Sequence, residues 1–216
     1  MIISHRLKFA FFRVPKTGTT TAQFFLRCSG AFDEEDILSG MGEHGFAPTD
    51  GLLTEPRDIV TQAHYTPAQA VEHGLITLEQ LREYKTVSFI RNPYDRQLSA
   101  YIHGVGIVCD PTYIKRLIKD APRRGILQAQ QSDWFYIDGE LVVEPMLFND
   151  YESHLRELLA YVGGIDFPII PPMNARNAAK KEYTMEEWMN PEFMAFIEDK
   201  YARDIELYED TKWQRN

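Results

Sequence analysis

The chain has 216 residues, 44% of them hydrophobic and 25% charged, a composition typical of a globular protein that fits one domain spanning residues 1–216. Its 32 acidic and 23 basic side chains give a formal charge of −9 at pH 7, which argues against a general binder of nucleic acid or of anionic membranes. An anionic ligand can bind such a chain only where basic side chains gather locally.

Short apolar segments alternate with amphipathic ones along the chain, which predicts an α/β fold with a mostly parallel central sheet flanked by helices. Strands are predicted at 8–14, 59–63, 86–90 and 141–148. The first is apolar almost throughout, as expected of a strand covered on both faces. Pro145 makes the last an edge or a broken strand, because proline cannot donate to a strand ladder. Residues 29–58 are expected to form loop and short helix over the sheet.

Helices are predicted where a capping residue precedes apolar residues at helical spacing. An Asn-Pro or Asp-Pro pair opens three of them, at 92–93, 110–111 and 190–191. The last is predicted to be one helix whose inward residues are Met194, Ile197, Tyr201, Ile205 and Tyr208. Another helix carries the stripe formed by Leu155, Leu158, Leu159 and Val162, and ends at a pair of glycines.

A phosphate cradle is predicted at residues 15–21, PKTGTTT, between the first strand and a helix. The glycine permits a tight turn, and the helix start offers unpaired N–H groups and a positive dipole end. Lys16 adds a positive charge and the threonine hydroxyls add donors. The alternative is a threonine-rich turn. Because the lysine precedes the glycine, this is not the GxxxxGK[ST] loop of nucleoside triphosphatases, so ATP chemistry is disfavoured.

A second motif, FIRNPYDRQLSAY, occupies residues 89–101. Arg91 ends the strand, while Asn92, Arg96, Ser99 and His103 fall on one polar side of the helix that follows. An arginine fork with a nearby hydroxyl suits a second phosphate group. The alternative is a solvated helix face with a surface arginine.

Together, the two motifs resemble the paired signatures of the sulfotransferases that depend on PAPS (3′-phosphoadenosine 5′-phosphosulfate). The stretches 143–163 and 171–210 are similar to the late strand and helix and to the C-terminal segment of that family, so the resemblance covers most of the chain. It implies a P-loop-like sulfotransferase fold with PAPS as the donor co-substrate and PAP as the product.

The resemblance also implies roles for individual residues. Arg91 and Ser99 match the pair that grips the 3′-phosphate, and Arg96 matches a frequent arginine with a structural role, through Asp95 or another neighbour. The 5′-phosphosulfate loop is matched by Lys16, Thr17, Gly18, Thr19 and Thr20. The loop sequence TGTTT lies between the forms found in small-molecule and carbohydrate enzymes, so both acceptor classes stay open.

Transfer to a hydroxyl or amine requires a general base near the sulfuryl group. His64 ends a predicted strand at the same sheet edge as the two motifs, and its place between them resembles that of the family's catalytic histidine. An ordinary imidazole, with a pKa of about 6.5, is largely neutral at pH 7. In the alternatives, His64 only satisfies a backbone group, or the base is a carboxylate, Glu43 or Glu55.

Two further groups of polar residues, both containing basic side chains, remain. One is either a solvated helix face or an acceptor site for an anionic substrate, and comprises Lys115, Arg116, Lys119, Arg123 and Arg124. The other lies in the segment similar to the family's C-terminal nucleotide loop, where the resemblance implies contact with the 3′-phosphate or the adenine. Its members are Asn174, Arg176 and Lys180.

The predicted reaction is in-line transfer of a sulfuryl group from PAPS to a carbohydrate or small-molecule acceptor, with His64 and Lys16 as catalytic residues. Neither Cys28 nor Cys109 belongs to a metal-ligand pattern, so no metal is expected. No signal peptide and no apolar stretch of membrane-spanning length is found, so a cytoplasmic protein is expected. The alternatives are an inactive PAP- or PAPS-binding module, a P-loop kinase using ATP, and an interaction protein that binds no nucleotide.

Overall fold

The computed structural model describes residues 1–38, 63–105, 129–170 and 189–214. Within them, the strands are β1 Ile2–Ser4, β2 Phe9–Phe11, β3 Ile37–Leu38, β4 Lys85–Ile90, β5 Tyr136–Ile137, β6 Glu140–Leu141 and β7 Glu144–Leu147. The α-helices are α1 Thr19–Cys28, α2 Pro67–Glu72, α3 Leu78–Glu83, α4 Pro93–Val105, α5 Tyr151–Tyr161, α6 Pro191–Lys200 and α7 Ala202–Trp213. Two short 3₁₀-helices span Gln131–Trp134 and Phe148–Asp150.

Within the described residues, five strands form the central sheet, in the order β3-β1-β2-β4-β7. The pairs β2–β4 and β4–β7 are parallel, while β1 pairs antiparallel with β2 and with β3. Helices cover this sheet, so the predicted α/β class with a parallel-rich sheet is confirmed. Pro145 lies in β7, an edge strand, where a missing N–H donor is tolerated.

Both faces of β2 are buried, as its nearly continuous apolar sequence predicts. Phe9 and Phe11 pack on one face with residues of α1 and α5. Ala10 and Phe12 pack on the other face with Trp134 of the short helix and with residues of α7. The strand itself is shorter than predicted. The sequence pattern also missed β1, which precedes it and returns through a tight turn in which Lys8 has φ 48°.

Three expectations about secondary structure need correction. Residues 190–213 form two helices, α6 and α7, because the backbone at Tyr201 leaves the helical conformation (φ −120°, ψ 29°). Met194 is exposed, and Asp204 takes an inward position in place of Ile205. Residues 37–38 form strand β3, whereas loop and short helix were predicted for 29–58.

Two predicted elements lie outside the described residues, namely the strand at 59–63 and the helix that opens at 110–111. Of these residues the structure describes Ala63, which lies in a turn.

The carboxyl ends of β2 and β4 meet at one edge of the sheet because these neighbouring strands are parallel. Their pairing continues beyond β2, where the Phe12 N–H donates to the Val87 carbonyl at 3.1 Å and the Ser88 hydroxyl donates to the Phe12 carbonyl at 2.8 Å. Helices α1 and α4 follow these two strands and begin near the same edge. In open α/β sheets, ligands bind at such an edge.

Candidate functional site

The loop between β2 and α1 is closed by hydrogen bonds to its own backbone. The Val14 carbonyl accepts from the hydroxyls of Thr17 and Thr19, at 2.9 and 3.1 Å. In this structure both hydroxyl protons are used inside the loop, so these two side chains stabilise its shape. Their predicted contact with a phosphate group stays a prediction. The third hydroxyl, that of Thr20, is half-buried and accepts from Nη2 of Arg13 at 3.2 Å.

Three side chains from other elements bind further carbonyls of this loop. Arg96 Nε donates to Pro15 O and Arg91 Nη1 donates to Lys16 O, each at 3.2 Å. The Tyr151 hydroxyl donates to Gly18 O at 3.1 Å. Because buried carbonyl groups need donors, these contacts hold the loop in a conformation that its local sequence alone does not fix.

Gly18 is the N-cap of α1 and has φ +75°, a left-handed conformation that favours glycine. The first turn of α1 contains no acidic residue, and its N-cap, a glycine, has no side chain with which to cap it. The first N–H groups of a helix have no acceptor within the helix, and together with the helix dipole they attract anions. The start of α1 is therefore suited to bind a negatively charged group.

Three cations gather around this helix start: Lys16, Arg91 and Arg96. Burial lowers the pKa of Lys16, and the positive charges of Arg91 and Arg96 lower it further. Arg91 Nε and Arg96 Nη2 are buried and have no hydrogen-bond partner within the described part of the chain. Buried donors next to mutually repelling cations fit an anionic ligand, which would supply both acceptors and countercharge.

His64 lies beside the same loop and is held at one ring nitrogen. Nδ1 lies 2.8 Å from the Arg13 carbonyl, which can only accept, so Nδ1 carries the proton and Nε2 of the neutral ring keeps its lone pair. Burial, followed by the charge of Arg13, lowers the pKa of His64 to about 4. His64 therefore satisfies a backbone group, as the alternative held, yet it also presents a neutral nitrogen that can accept a proton.

Arg13 was missed by the sequence motifs. It is buried at the end of the apolar run that contains β2, and burial, followed by the charge of Arg27, lowers its pKa to about 10. Its carbonyl orients His64 and its guanidinium reaches Thr20. An arginine within a nearly continuous apolar segment is the signal that could have identified it.

An aromatic pair, Phe148 and Tyr151, lies against the other side of the loop. A Cβ atom at Gly18 would lie 2.7 Å from Cε2 of Phe148 and 3.0 Å from Cε2 of Tyr151. The guanidinium carbon of Arg91 lies 4.9 Å from the centre of the Phe148 ring. Sequence reasoning gave neither aromatic residue a role, since nothing local connects them to residues more than 100 positions earlier.

Of the remaining predicted residues, the structure describes the side chains of Ser99 and Arg96 but not those of the others. Ser99 is buried on α4, one turn after Arg96, and no hydrogen bond within the described ranges joins it to Arg91. Arg96 donates to the backbone carbonyls of Pro15 and Ala129 rather than to Asp95. The other candidates fall outside the part of the chain whose side chains are described, namely Glu43, Glu55, His103, the basic group at 115–124, Asn174, Arg176 and Lys180.

In the described ranges, no three His, Cys, Asp or Glu side chains are grouped so that they could hold a metal ion. None of the helices there has both the length and the apolar character required to traverse a bilayer.

The model of the sulfotransferase family matches residues 1–132, a stretch that includes the loop, His64 and α4. The crystal structure of a sulfotransferase from Alicyclobacillus acidocaldarius is similar to this chain with a TM-score of 0.46, at 16% sequence identity over 96% of each chain. No curated protein matches the sequence.

Replacing Gly18 by alanine should destabilise the protein more than the same change at Gly30. Both glycines have nearly the same left-handed φ, +75° and +76°, but nothing lies within 4 Å of a Cβ atom at Gly30. Each variant should lose about 1 to 2 kcal/mol from backbone strain. Gly18→Ala should lose roughly 1 kcal/mol more because Phe148 and Tyr151 must move. Urea unfolding of both variants measures this, and equal losses would contradict the close packing at Gly18.

The low pKa of His64 predicts acid sensitivity. The folded state holds this pKa at about 4 and the ordinary value is 6.5, so between these pH values the unfolded state binds more protons. The contribution to stability is present above pH 6.5, is lost progressively as the pH falls from 6.5 to about 4, and amounts to roughly 3 kcal/mol in total. Unfolding of the wild type and of His64→Gln across this range measures the difference, and parallel curves would contradict the prediction.

Proposed function

Because this chain belongs to the sulfotransferase family, we propose that it transfers a sulfuryl group from PAPS to a hydroxyl or amine of a carbohydrate or small-molecule acceptor. The observation that carries this proposal is the gathering of Lys16, Arg91 and Arg96 at the start of α1, whose N-cap is a glycine. The net charge of the protein is −9, so this local positive charge is not a general property of its surface.

The site offers two places for phosphate groups. The 5′-phosphosulfate fits the helix start, where the backbone of residues 16–20 and the Lys16 ammonium would meet its charge. The 3′-phosphate fits Arg91, whose guanidinium uses one N–H for the Lys16 carbonyl and keeps other donors. Ser99 is proposed to add a hydroxyl to this second position. These contacts would fix the orientation of the donor relative to His64.

His64 is proposed to act as the general base. Its Nε2 atom would take the proton of the acceptor hydroxyl as the acceptor oxygen bonds to sulfur. In the same step the bond between sulfur and the bridging oxygen breaks, and PAP leaves with that electron pair. The hydrogen bond from Nδ1 to the Arg13 carbonyl supports this role because it fixes the tautomer and strengthens when the ring becomes positively charged.

Lys16 is proposed to stabilise the charge that grows on the departing phosphate. Its pKa is lowered by burial and by two arginines, so in the free enzyme its charge is poorly compensated. Negative charge at the helix start relieves that repulsion, and more negative charge relieves it further. This is the condition for an interaction that strengthens in the transition state.

Replacing His64 by alanine should lower transfer by about 10² to 10⁴, the usual share of a general base. PAP affinity should stay within a few-fold of the wild type, because the imidazole is not proposed to contact the nucleotide. An acceptor panel with radiolabelled PAPS measures transfer, and calorimetry measures binding. Near-normal transfer by His64→Ala would remove the histidine from the mechanism and direct the search to Glu43 or Glu55.

The choice of nucleotide separates a sulfotransferase from a kinase. PAP differs from AMP by its 3′-phosphate, and each hydrogen bond to a charged group is worth ~1.5 to 3 kcal/mol. Two such contacts, from Arg91 and Ser99, should give PAP an advantage of roughly 10² or more. ATP should bind no better than AMP, with or without magnesium. Calorimetric titration of the wild type with these nucleotides measures the advantage, and equal affinity for PAP and AMP would rule out the proposal.

Arg91→Ala should remove most of the PAP advantage. AMP affinity should fall by less than PAP affinity, because AMP loses only the support that Arg91 gives the loop through the Lys16 carbonyl. The matched control is Arg82→Ala, which removes the same charge at the opposite end of β4, where Arg82 is exposed and paired with Glu140. A similar loss of PAP advantage in both variants would mean that overall charge, rather than a contact at Arg91, determines nucleotide choice.

A further inference from the structure

The side chain of a buried glutamine forms two hydrogen bonds with the backbone of Arg91. Gln131, in the short helix Gln131–Trp134, is fully buried. Its Nε2 donates to the Arg91 carbonyl at 2.8 Å, and its Oε1 accepts from the Arg91 N–H at 3.0 Å. Two hydrogen bonds to the main chain of one residue fix the direction in which that residue leaves β4.

The short helix is itself held by a carboxylate from α7. Asp204 is fully buried and accepts from the Gln131 N–H at 2.7 Å and from the Ser132 N–H at 2.8 Å. These N–H groups belong to the start of the helix, where a negative charge is most favourable. Burial raises the pKa of Asp204, while the two backbone hydrogen bonds and the charge of Arg96 oppose that rise. The buried charge therefore depends on these contacts.

The same segment reaches the general base and the loop. Trp134, at the end of the short helix, donates from Nε1 to the His64 carbonyl at 3.1 Å. Ala129, just before it, accepts from Arg96 Nη1 at 2.8 Å, and Arg96 in turn binds the Pro15 carbonyl. Residues 129–134 thus contact the backbone of both Arg91 and His64, although none of them is proposed to touch a substrate.

We propose that Asp204 is a positioning residue that holds the short helix Gln131–Trp134, through which Gln131 places Arg91 and Trp134 places His64. This inference rests on the proposed function, because it assigns Arg91 to nucleotide binding and His64 to proton transfer. The inference implies that nucleotide recognition and turnover can be changed separately. Gln131 affects recognition of the 3′-phosphate and Trp134 affects turnover, while Asp204 affects both.

The test uses three variants of the full chain. Gln131→Leu removes both bonds to Arg91 and should lower the ratio of PAP to AMP affinity by about tenfold, the size of one weakened hydrogen bond to a charged group. Trp134→Phe removes the bond to His64 and should lower kcat by about tenfold through misplacement of the base, with PAP affinity within a few-fold of the wild type. Asp204→Asn replaces one acceptor oxygen by an NH₂ group that faces an N–H donor, and should produce both effects.

A control variant is needed that lowers stability without changing the nucleotide ratio or kcat. Leu158→Ala provides the control, because Leu158 is fully buried on the opposite face of the sheet and packs in a different cluster from Trp134. It should lower stability while the nucleotide ratio and kcat stay at wild-type values in the folded protein. In the Arg91→Ala background, Gln131→Leu should lower the nucleotide ratio no further, since Gln131 acts through Arg91.

The outcomes distinguish this inference from the proposal on which it rests. A wild type with no preference for PAP over AMP overturns the proposed function and this inference with it. A wild-type preference that survives Gln131→Leu, or a Gln131→Leu effect that persists in full without Arg91, overturns the inference alone. If Asp204→Asn fails to fold, Asp204→Glu, which keeps the charge but displaces the short helix, should produce both effects. An unchanged nucleotide ratio and kcat in Asp204→Glu would overturn the role of Asp204.

Discussion

The loop between β2 and α1 turns its backbone carbonyls toward the protein, and buried carbonyls need hydrogen-bond donors. Here the carbonyls of Val14, Pro15, Lys16 and Gly18 accept from threonine hydroxyls, Arg96, Arg91 and Tyr151 respectively. Two of these donors are arginines. These two side chains hold the loop in shape and also carry positive charge that would meet an anion. A substitution at either arginine would therefore change both the loop conformation and the local charge.

That arrangement leaves the site under electrostatic repulsion. Lys16 is half-buried, and burial and the two arginines all disfavour its charged form. The folded protein holds these cations together through contacts elsewhere, including Asp204 in α7 and the packing of Phe148 against Gly18 and Arg91. An anion that binds here would remove part of the repulsion and stabilise the fold, since a ligand that binds only the native state raises its stability.

The parts of this site that could be predicted are those with local signals. The apolar run ending at Val14 and the Asn92-Pro93 pair fix a strand and a helix start through nearby residues, and both were found. The roles of Gln131 and Asp204 depend on partners 40 and 73 positions away in the chain, which no local pattern encodes. Asp204 does lie three residues after inward-facing Tyr201. A carboxylate on the inward side of a helix needs a buried partner, and that partner is the start of the short helix.

Arg13 connects His64 with the start of α1, although neither sequence motif includes it. Its carbonyl fixes Nδ1 of His64, and its guanidinium reaches Thr20 in α1 and lowers the pKa of His64. An anion at the helix start opposes that charge and, under the proposed function, raises the proton affinity of Nε2. The histidine would then be a weak base in the free enzyme and a stronger one beside the bound donor. Under the proposed function, binding of the nucleotide would therefore make proton removal by His64 more favourable than it is in the free enzyme.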